Sequence, residues 1–482
     1  MQRTDRFLFA AGAALIAAYF FGLTRPSLHV YFTPDDLMNL YRSWIFPAGL
    51  LVKANFLFFL TSPFLRPMTS AWYRVIFHFA GFNPFWFHAA NLAILMVNVF
   101  LTYSVVRRLT GSREVAAVAA LLGAYNRRLG FLYFDTGFVF DVICYLFYFA
   151  AFLFYLRVRQ QKRLLNAWET VGFCALYICA LNSKEMAVTL PAFLAIYEWL
   201  YHPPRFWRLA ELWSWAWREG RVALITGAMT LVFAVGRATG PETLLRDAPY
   251  RPSFTWTQFM ETSRHFLGDI IGTDDWPIWT VLLFWAVLFA IAWISRSPSL
   301  KFAWLFVMLS PVPIAFVLRR GAPQYYVPWL GWVLYSAVVL VRSLECLTGR
   351  LWTVPWPARA RGAALMAGLA LILYPYAKRA GWENVSSAWI EAPQNREMVA
   401  QLHRAAPRFR PKSRLLFLND PIPADYENLI FIVQLSYHDP SLEVKRVKQM
   451  KQAPDEKAMA SYDYVLDYRD GQFIELRQPQ PG

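Results

Sequence analysis

The chain has 482 residues, of which 57% are hydrophobic, 18% aromatic and 17% charged, and it carries a net charge of +16. Soluble domains run nearer about 45–50% apolar and 25% charged, so this composition excludes a disordered chain, a collagen-like chain and an ordinary soluble enzyme. It indicates a polytopic membrane protein whose 21 Trp and 24 Tyr suit the membrane interfaces.

In chain order, Arg3 and Arg6 precede an apolar run from Phe7 to Leu23. No A-x-A-like cleavage site follows, so the run reads as a first span with the N-terminus in the cytoplasm. Gly49–Leu65 is apolar but holds Lys53 and Asn55 and is bounded by prolines. It reads as interfacial helices along the membrane. Further spans are expected at Phe85–Val106, Val115–Tyr125, Val139–Leu156, Leu164–Leu181, Met186–Leu200, Val222–Val235, Trp276–Ile294, Phe302–Leu318, Val327–Val341 and Ala363–Tyr374. That makes roughly eleven, several of them short against the ~20 residues a span needs. Basic residues fall in alternate gaps: Arg107, Arg108 and Arg113; Arg157, Arg159, Lys162 and Arg163; Arg205, Arg208, Arg218 and Arg221; Arg296 and Lys301; Arg342, Arg350, Arg359 and Arg361. All five clusters land on the N-terminal side, as the positive-inside rule requires.

From Lys378 onward there are 15 basic and 14 acidic residues. Nearly all the excess positive charge therefore lies between apolar runs, and nucleic acid is not an expected partner. The division expected is a transmembrane domain over 1–377 and a small extracytoplasmic α/β domain over 378–482. In the latter, Arg414–Leu418, Leu429–Val433 and Tyr464–Tyr468 read as strands and Asn395–Ala406 as a helix. Cys144, Cys174, Cys179 and Cys346 all lie in apolar segments without CxxC or Cys/His spacing, so they read as free thiols.

On this topology five outer segments carry polar residues that do not look like anchors. Asp35 and Asp36 follow Thr33-Pro34 in the first. Local chemistry allows plain helix capping or a carboxylate that takes a proton from an acceptor at the membrane surface. The second holds Arg127, Arg128 and Asp135, with Asp141 opening the next apolar run. An arginine pair on the outer side is a candidate for a phosphate headgroup or for interfacial snorkelling, and an intramembrane acid is expensive unless paired or working. In the third, Lys184 and Glu185 sit in a tight turn between spans, where they neutralise each other, cap the next helix or set an ammonium beside a lipid phosphate. The fourth, from Arg237 to Pro277, includes Asp274-Asp275, a loop turn or a cation site. The fifth holds Arg319, Arg320, Tyr325 and Tyr326, which suit a pyrophosphate or sugar-phosphate, or interfacial anchoring. No Walker A, GxGxxG, HExxH or GxSxG motif occurs.

Together these features resemble the GT-C superfamily of polytopic glycosyltransferases, whose hallmark is an acidic pair in the first outer loop, here Asp35-Asp36. The middle of the chain is similar to the membrane half of the transmembrane-and-tetratricopeptide protein O-mannosyltransferases and their bacterial relatives. The likeness rests on Asn182-Ser-Lys-Glu-Met-Ala-Val-Thr-Leu-Pro191 and, in part, on Gln324-Tyr-Tyr-Val-Pro328. It covers about residues 1 to 375. The tail has no tetratricopeptide pattern, Gln324 stands where the family has arginine, and the second outer loop lacks the family's His-Pro and Gly-Arg-x-Asp pattern.

The resemblance implies a mainly α, transmembrane bundle that moves a sugar from a polyprenyl-phosphate carrier to a glycan, lipid or protein acceptor on the outer face. It implies Asp35 or Asp36 as base. It also implies a lipid-phosphate site drawn from Arg127, Arg128, Asp135, Lys184, Glu185, Arg319, Arg320, Tyr325 and Tyr326. The expected location is a bacterial inner membrane. Family members differ in metal need. With few outer carboxylate clusters and no His pairs, metal-independent transfer is the reading, and a divalent cation the alternative. The rival functions are a transporter or flippase, which needs polar residues in mid-span and broken helices, and a non-catalytic membrane scaffold.

Overall fold

The computed structural model describes residues 3–60, 64, 66–204, 208–240, 243–246, 250–271, 276–318, 321–351, 357–380, 385–406 and 408–477. The first half runs α1 (Arg3–Thr24), α2 (Pro34–Ile45), α3 (Ala48–Phe56), α4 (Pro67–Ala80), α5 (Pro84–Thr110), α6 (Arg113–Ala124), α7 (Phe131–Phe134), α8 (Val139–Arg159), α9 (Ala167–Leu181) and α10 (Leu190–Tyr201). It continues with α11 (Leu209–Arg218), α12 (Arg221–Thr239), α13 (Trp256–Ile271), α14 (Ile278–Ile294), α15 (Pro298–Leu309), α16 (Val312–Ala315), α17 (Tyr326–Leu351), α18 (Ala358–Ala380) and α19 (Ala392–Ala405). The starts follow from the sequence. Thr33, Asn83, Ser112 and Asn166 cap α2, α5, α6 and α9 through their side chains, and prolines occupy the first turns of α2, α4, α5 and α15, where a missing N–H costs nothing.

The protein is an integral membrane protein. Among the described residues, seven helices are long and apolar enough to cross a membrane. Four of the roughly eleven expected spans fall on shorter helices. The expected spans around 164–181 and 276–294 are helices of 15 and 17 residues. Those around 115–125 and 186–200 are α6 and α10, of 12 residues each. Twelve residues rise only about 18 Å, short of a hydrocarbon core of about 30 Å.

Polar side chains tie the bundle at depth. Asn91 and Asn98 of α5 donate to the carbonyls of Leu132 (2.8 Å) and Val142 (2.9 Å), and Thr102 bonds the Tyr145 hydroxyl at 2.6 Å. At the far ends of the helices Glu198, fully buried, accepts from Tyr155 and twice from Arg159, each at 2.7 Å. Arg361 reaches Glu114 and Glu345 there too. These bonds gather several of the predicted basic clusters on one side.

The C-terminal part forms β1 (Arg414–Phe417), α20 (Asn428–Ser436), β2 (Glu443–Arg446), α21 (Glu456–Met459), β3 (Tyr464–Arg469) and β4 (Gln472–Arg477). The sheet order is β2-β1-β3-β4, with β1 parallel to both neighbours and β4 antiparallel. The strands expected at Arg414–Leu418 and Tyr464–Tyr468 are β1 and β3. The strand expected at Leu429–Val433 is instead helix α20. Five consecutive apolar residues do not discriminate strand from buried helix. Here Leu429, Phe431, Ile432, Val433 and Leu435 are all buried, because the segment is the crossover between parallel β1 and β2 and is covered on both sides. Arg446 and Asp420, both without exposed side-chain surface, join in a two-pronged ion pair beneath it.

This C-terminal part sits directly on the first polar segment. Tyr41 meets Phe431 with ring centroids 4.8 Å apart, His438 stacks on Phe77 at 4.9 Å, and Asn395 donates to the Phe32 carbonyl at 2.9 Å.

Candidate functional site

The acidic pair begins helix α2, and the two carboxylates have opposite environments. Thr33 and Asp36 form a capping box: the Thr33 amide donates to Asp36 Oδ2 at 2.9 Å and the Asp36 amide donates back to Thr33 Oγ1 at 3.2 Å. Asp36 Oδ1 also accepts from Thr136 Oγ1 at 2.5 Å and from the Tyr73 hydroxyl at 3.4 Å. Asp36 is fully buried. Burial pushes its carboxyl from 3.8 up to about 6, against the pull of the Thr136 and Thr33 hydrogen bonds.

Asp135 stands beside it. Its Oδ1 accepts from Thr33 Oγ1 and from the Gly137 amide, both at 2.9 Å, and its Oδ2 accepts from Ser387 at 2.7 Å. Burial, and then the charge of Asp36, hold it well above the usual aspartate range. Asp36 and Asp135 thus form a buried, Thr33-bridged acid network that pins α2 to the 135–138 turn and to the C-terminal part.

Asp35 is exposed, and among the described residues no donor or cation holds its carboxylate. Water excluded by the neighbouring chain still raises it above the ordinary aspartate range. Gly137 sets its height. A Cβ there would lie 2.6 Å from Asp35 Cβ and 2.8 Å from Asp135 Oδ1.

A second cluster lies a short way along the chain from Thr136. Lys184 Nζ reaches both oxygens of Asp141 at 2.7 Å, and Arg66 Nη2 lies 3.2 Å from Glu185 Oε2. Lys184 and Glu185 each pair with a residue from another element, so mutual pairing, one of the three readings of this turn, is not the arrangement formed. Two cations lie over the Phe140 ring, Arg66 at 4.0 Å and Lys184 at 4.4 Å from its centroid. Arg237, at the end of α12, adds a third positive charge beside Glu185. Despite burial, Arg66, Arg237 and Lys184 hold the Glu185 carboxyl down to about 2. Burial lowers Lys184, although Asp141 pulls the other way. The Nε atoms of Arg66 and Arg237 are buried and make no hydrogen bond.

Among the described residues, three cations face two carboxylates with two guanidinium N–H groups unused, one negative charge short. Thr136 to Asp141 is only about 9 Å of helical rise, so both clusters belong to one face of the molecule. Sequence reading missed Arg66 and Arg237. Each looks like an ordinary flank of an apolar run.

The other predicted residues are placed as follows. Arg127 lies over the Tyr376 ring at 4.6 Å, and Arg128 Nε is buried without a partner. The Arg127–Leu129 turn packs against the Ala322–Tyr325 turn, so the second and fifth segments meet. Tyr326 is buried and stacked on Tyr145 at 4.4 Å, and Tyr325 is buried. Arg319, Arg320, Asp274 and Asp275 lie outside the described residues. Among the described residues no three His, Cys, Asp or Glu side chains gather to hold a metal ion.

The fold is GT-C-like, similar to that of solved membrane enzymes. The Archaeoglobus fulgidus oligosaccharyltransferase in its apo form superposes with a TM-score of 0.52 at 11% identity, over 95% of this chain and 69% of that one. The oligosaccharyltransferase AglB of the same organism, in complex with an inhibitory peptide and a dolichol-phosphate, gives 0.51 at 11% identity, over 96% and 69%. ArnT from Cupriavidus metallidurans, bound to undecaprenyl phosphate, gives 0.49 at 15% identity, over 98% and 94%. No family model and no curated protein sequence matches the chain.

Proposed function

We propose that the chain is a glycosyltransferase that moves a sugar from a polyprenyl-phosphate-linked donor to an acceptor at the membrane face bearing Asp35. The observation that carries this reading is the division of labour in the acidic pair. Asp36 is sealed and hydrogen-bonded, whereas Asp35 is open, without a partner among the described residues and raised above the ordinary aspartate range, in the direction that suits a general base.

In the reaction the bond between the sugar anomeric carbon and the carrier phosphate breaks, and a bond from the acceptor heteroatom to that carbon forms. The acceptor proton passes to Asp35. The departing phosphate is stabilised by Arg66, Arg237 and Lys184, whose two unused N–H groups are oriented donors in a low-dielectric site. Asp36, Asp135, Thr33 and Thr136 act through Asp35 as positioning residues. The dolichol-phosphate carried by the similarly folded AglB supports the class of donor.

In this reading residues 1–377 are the transferase domain. Residues 378–482, resting on α2, are an extracytoplasmic domain beside the acceptor. The arginine-rich ends face the cytoplasm of a bacterial inner membrane.

The test uses the full chain in liposomes with a panel of polyprenyl-phosphate sugars. Asp35→Asn should lower the transfer rate by a factor of about 10²–10⁴, the usual worth of a positioned base. The melting temperature should stay unchanged, because no native contact is lost. An Asp35→Asn variant that transfers at the wild-type rate sinks the assignment, and so does a wild-type protein that consumes no donor in the panel.

A further inference from the structure

A cavity walled in part by arginines lies at the opposite end of the bundle. Twenty residues of α5 separate Phe87, which packs on Phe32 with centroids 5.3 Å apart, from Arg107, an axial rise of about 30 Å. There a cavity of about 550 Å³ opens, with Phe9, Phe100, Tyr103, Arg107, Arg108 and Arg157 in its wall. The α5 contributors fall at 100, 103, 104, 107 and 108, the spacing of one helix face. That face passes from apolar to cationic over about 10 Å of rise.

Phe9 and Phe100 are 49% and 56% exposed, so the lower wall is open to an acyl chain. At the mouth, Arg108 Nη1 donates to Gln160 Oε1 at 2.6 Å and Gln160 Nε2 donates to the Arg108 carbonyl at 2.8 Å, which locks α5 to the end of α8. Neighbouring arginines on this side have their own counter-ions: Arg159 with Glu198 and Glu219, Arg163 with Glu169, Arg361 with Glu114 and Glu345. Among the residues whose side chains are described, which begin at Phe9, Arg107, Arg108 and Arg157 meet no carboxylate. Three like charges share one mouth at a repulsive cost that an outside anion relieves.

We propose that this mouth binds an anionic phospholipid, with its phosphate among Arg107, Arg108 and Arg157 and an acyl chain along Phe9 and Phe100. Guanidinium groups bind phosphate in two-pronged fashion, and the apolar wall below selects a lipid over a soluble phosphate. This site does not depend on the transfer reaction.

The full chain is purified into nanodiscs of phosphatidylcholine doped with phosphatidylglycerol, and retained lipid is read by native mass spectrometry. Each arginine near an anionic lipid is worth about a fivefold change in binding. Arg107→Gln/Arg157→Gln should therefore retain at least about tenfold less phosphatidylglycerol than wild type. Both positions are solvent-exposed, and equal melting temperatures in phosphatidylcholine alone will show that the variant is folded. Should the double variant fail that control, Arg157→Gln alone is compared, with a fivefold loss expected. Equal retention by wild type and variant overturns the proposal. So does inorganic phosphate at millimolar concentration if it displaces the lipid, since the site would then take free phosphate.

Discussion

Gly137 offers the sharpest test of how the site is built. Its backbone is not in the left-handed region, so alanine is conformationally acceptable there and only space opposes it. The added Cβ would lie 2.6 Å from Asp35 Cβ and 2.8 Å from Asp135 Oδ1, where carbon contacts settle near about 3.5–4 Å. Relief requires α2 to back away from the 135–138 turn by about 1 Å. Overpacking of this kind costs about 1–3 kcal/mol. The same displacement moves Asp35 by a similar distance, and a 1 Å misplacement costs about 10²-fold in rate. Gly137→Ala should therefore lose about two orders of magnitude in sugar transfer while remaining folded, with a melting temperature lowered by no more than several degrees. Circular dichroism melts and initial-rate assays on the same preparation give both numbers. A Gly137→Ala protein with wild-type rate would mean that Asp35 is not held where the chemistry happens, or that α2 is soft enough to absorb the methyl group.

Two further expectations test the buried charges. The Asp36 carboxyl is raised from 3.8 to about 6, so the folded state binds its proton more tightly than the unfolded chain. Its stabilising contribution is complete below pH 4 and is lost as pH rises through 6, a loss of about 3 kcal/mol. Denaturation at pH 4 and pH 7 should show wild type losing about that much more than Asp36→Asn over the interval, and parallel losses would refute it. Lys184→Met leaves Asp141 buried without its partner and should cost about 3–5 kcal/mol, whereas Lys184→Met/Asp141→Leu should recover most of that. A single variant as stable as wild type would show that the pair is not formed.

The helical bundle was legible because apolar runs and capping signals are local. Thr33-Pro34-Asp35-Asp36 predicts a helix start from four residues, and a helix starts there. The buried acid network was not legible. Asp36 and Asp135 are about a hundred positions apart, and Thr33 bridges them only once α2 rests on the 135–138 turn. Arg66 and Arg237 were missed for the same reason: no local pattern distinguishes them from interfacial anchors. Segment 429–433 went wrong where a run of β-branched and aromatic residues met a covered crossover.

Residue type and spacing were enough to establish a membrane protein with an acidic first loop and basic ends, because hydropathy and capping act over a few residues. Which carboxylate is open and which is sealed was settled by contacts between distant segments. So was the partner of each cation in the 184–185 turn. The ends of α2 and α4, the turn before α8 and the C-terminal residues Ser387 and Asn395 meet around the Asp36–Asp135 network, and burial there, not composition, raises both acids.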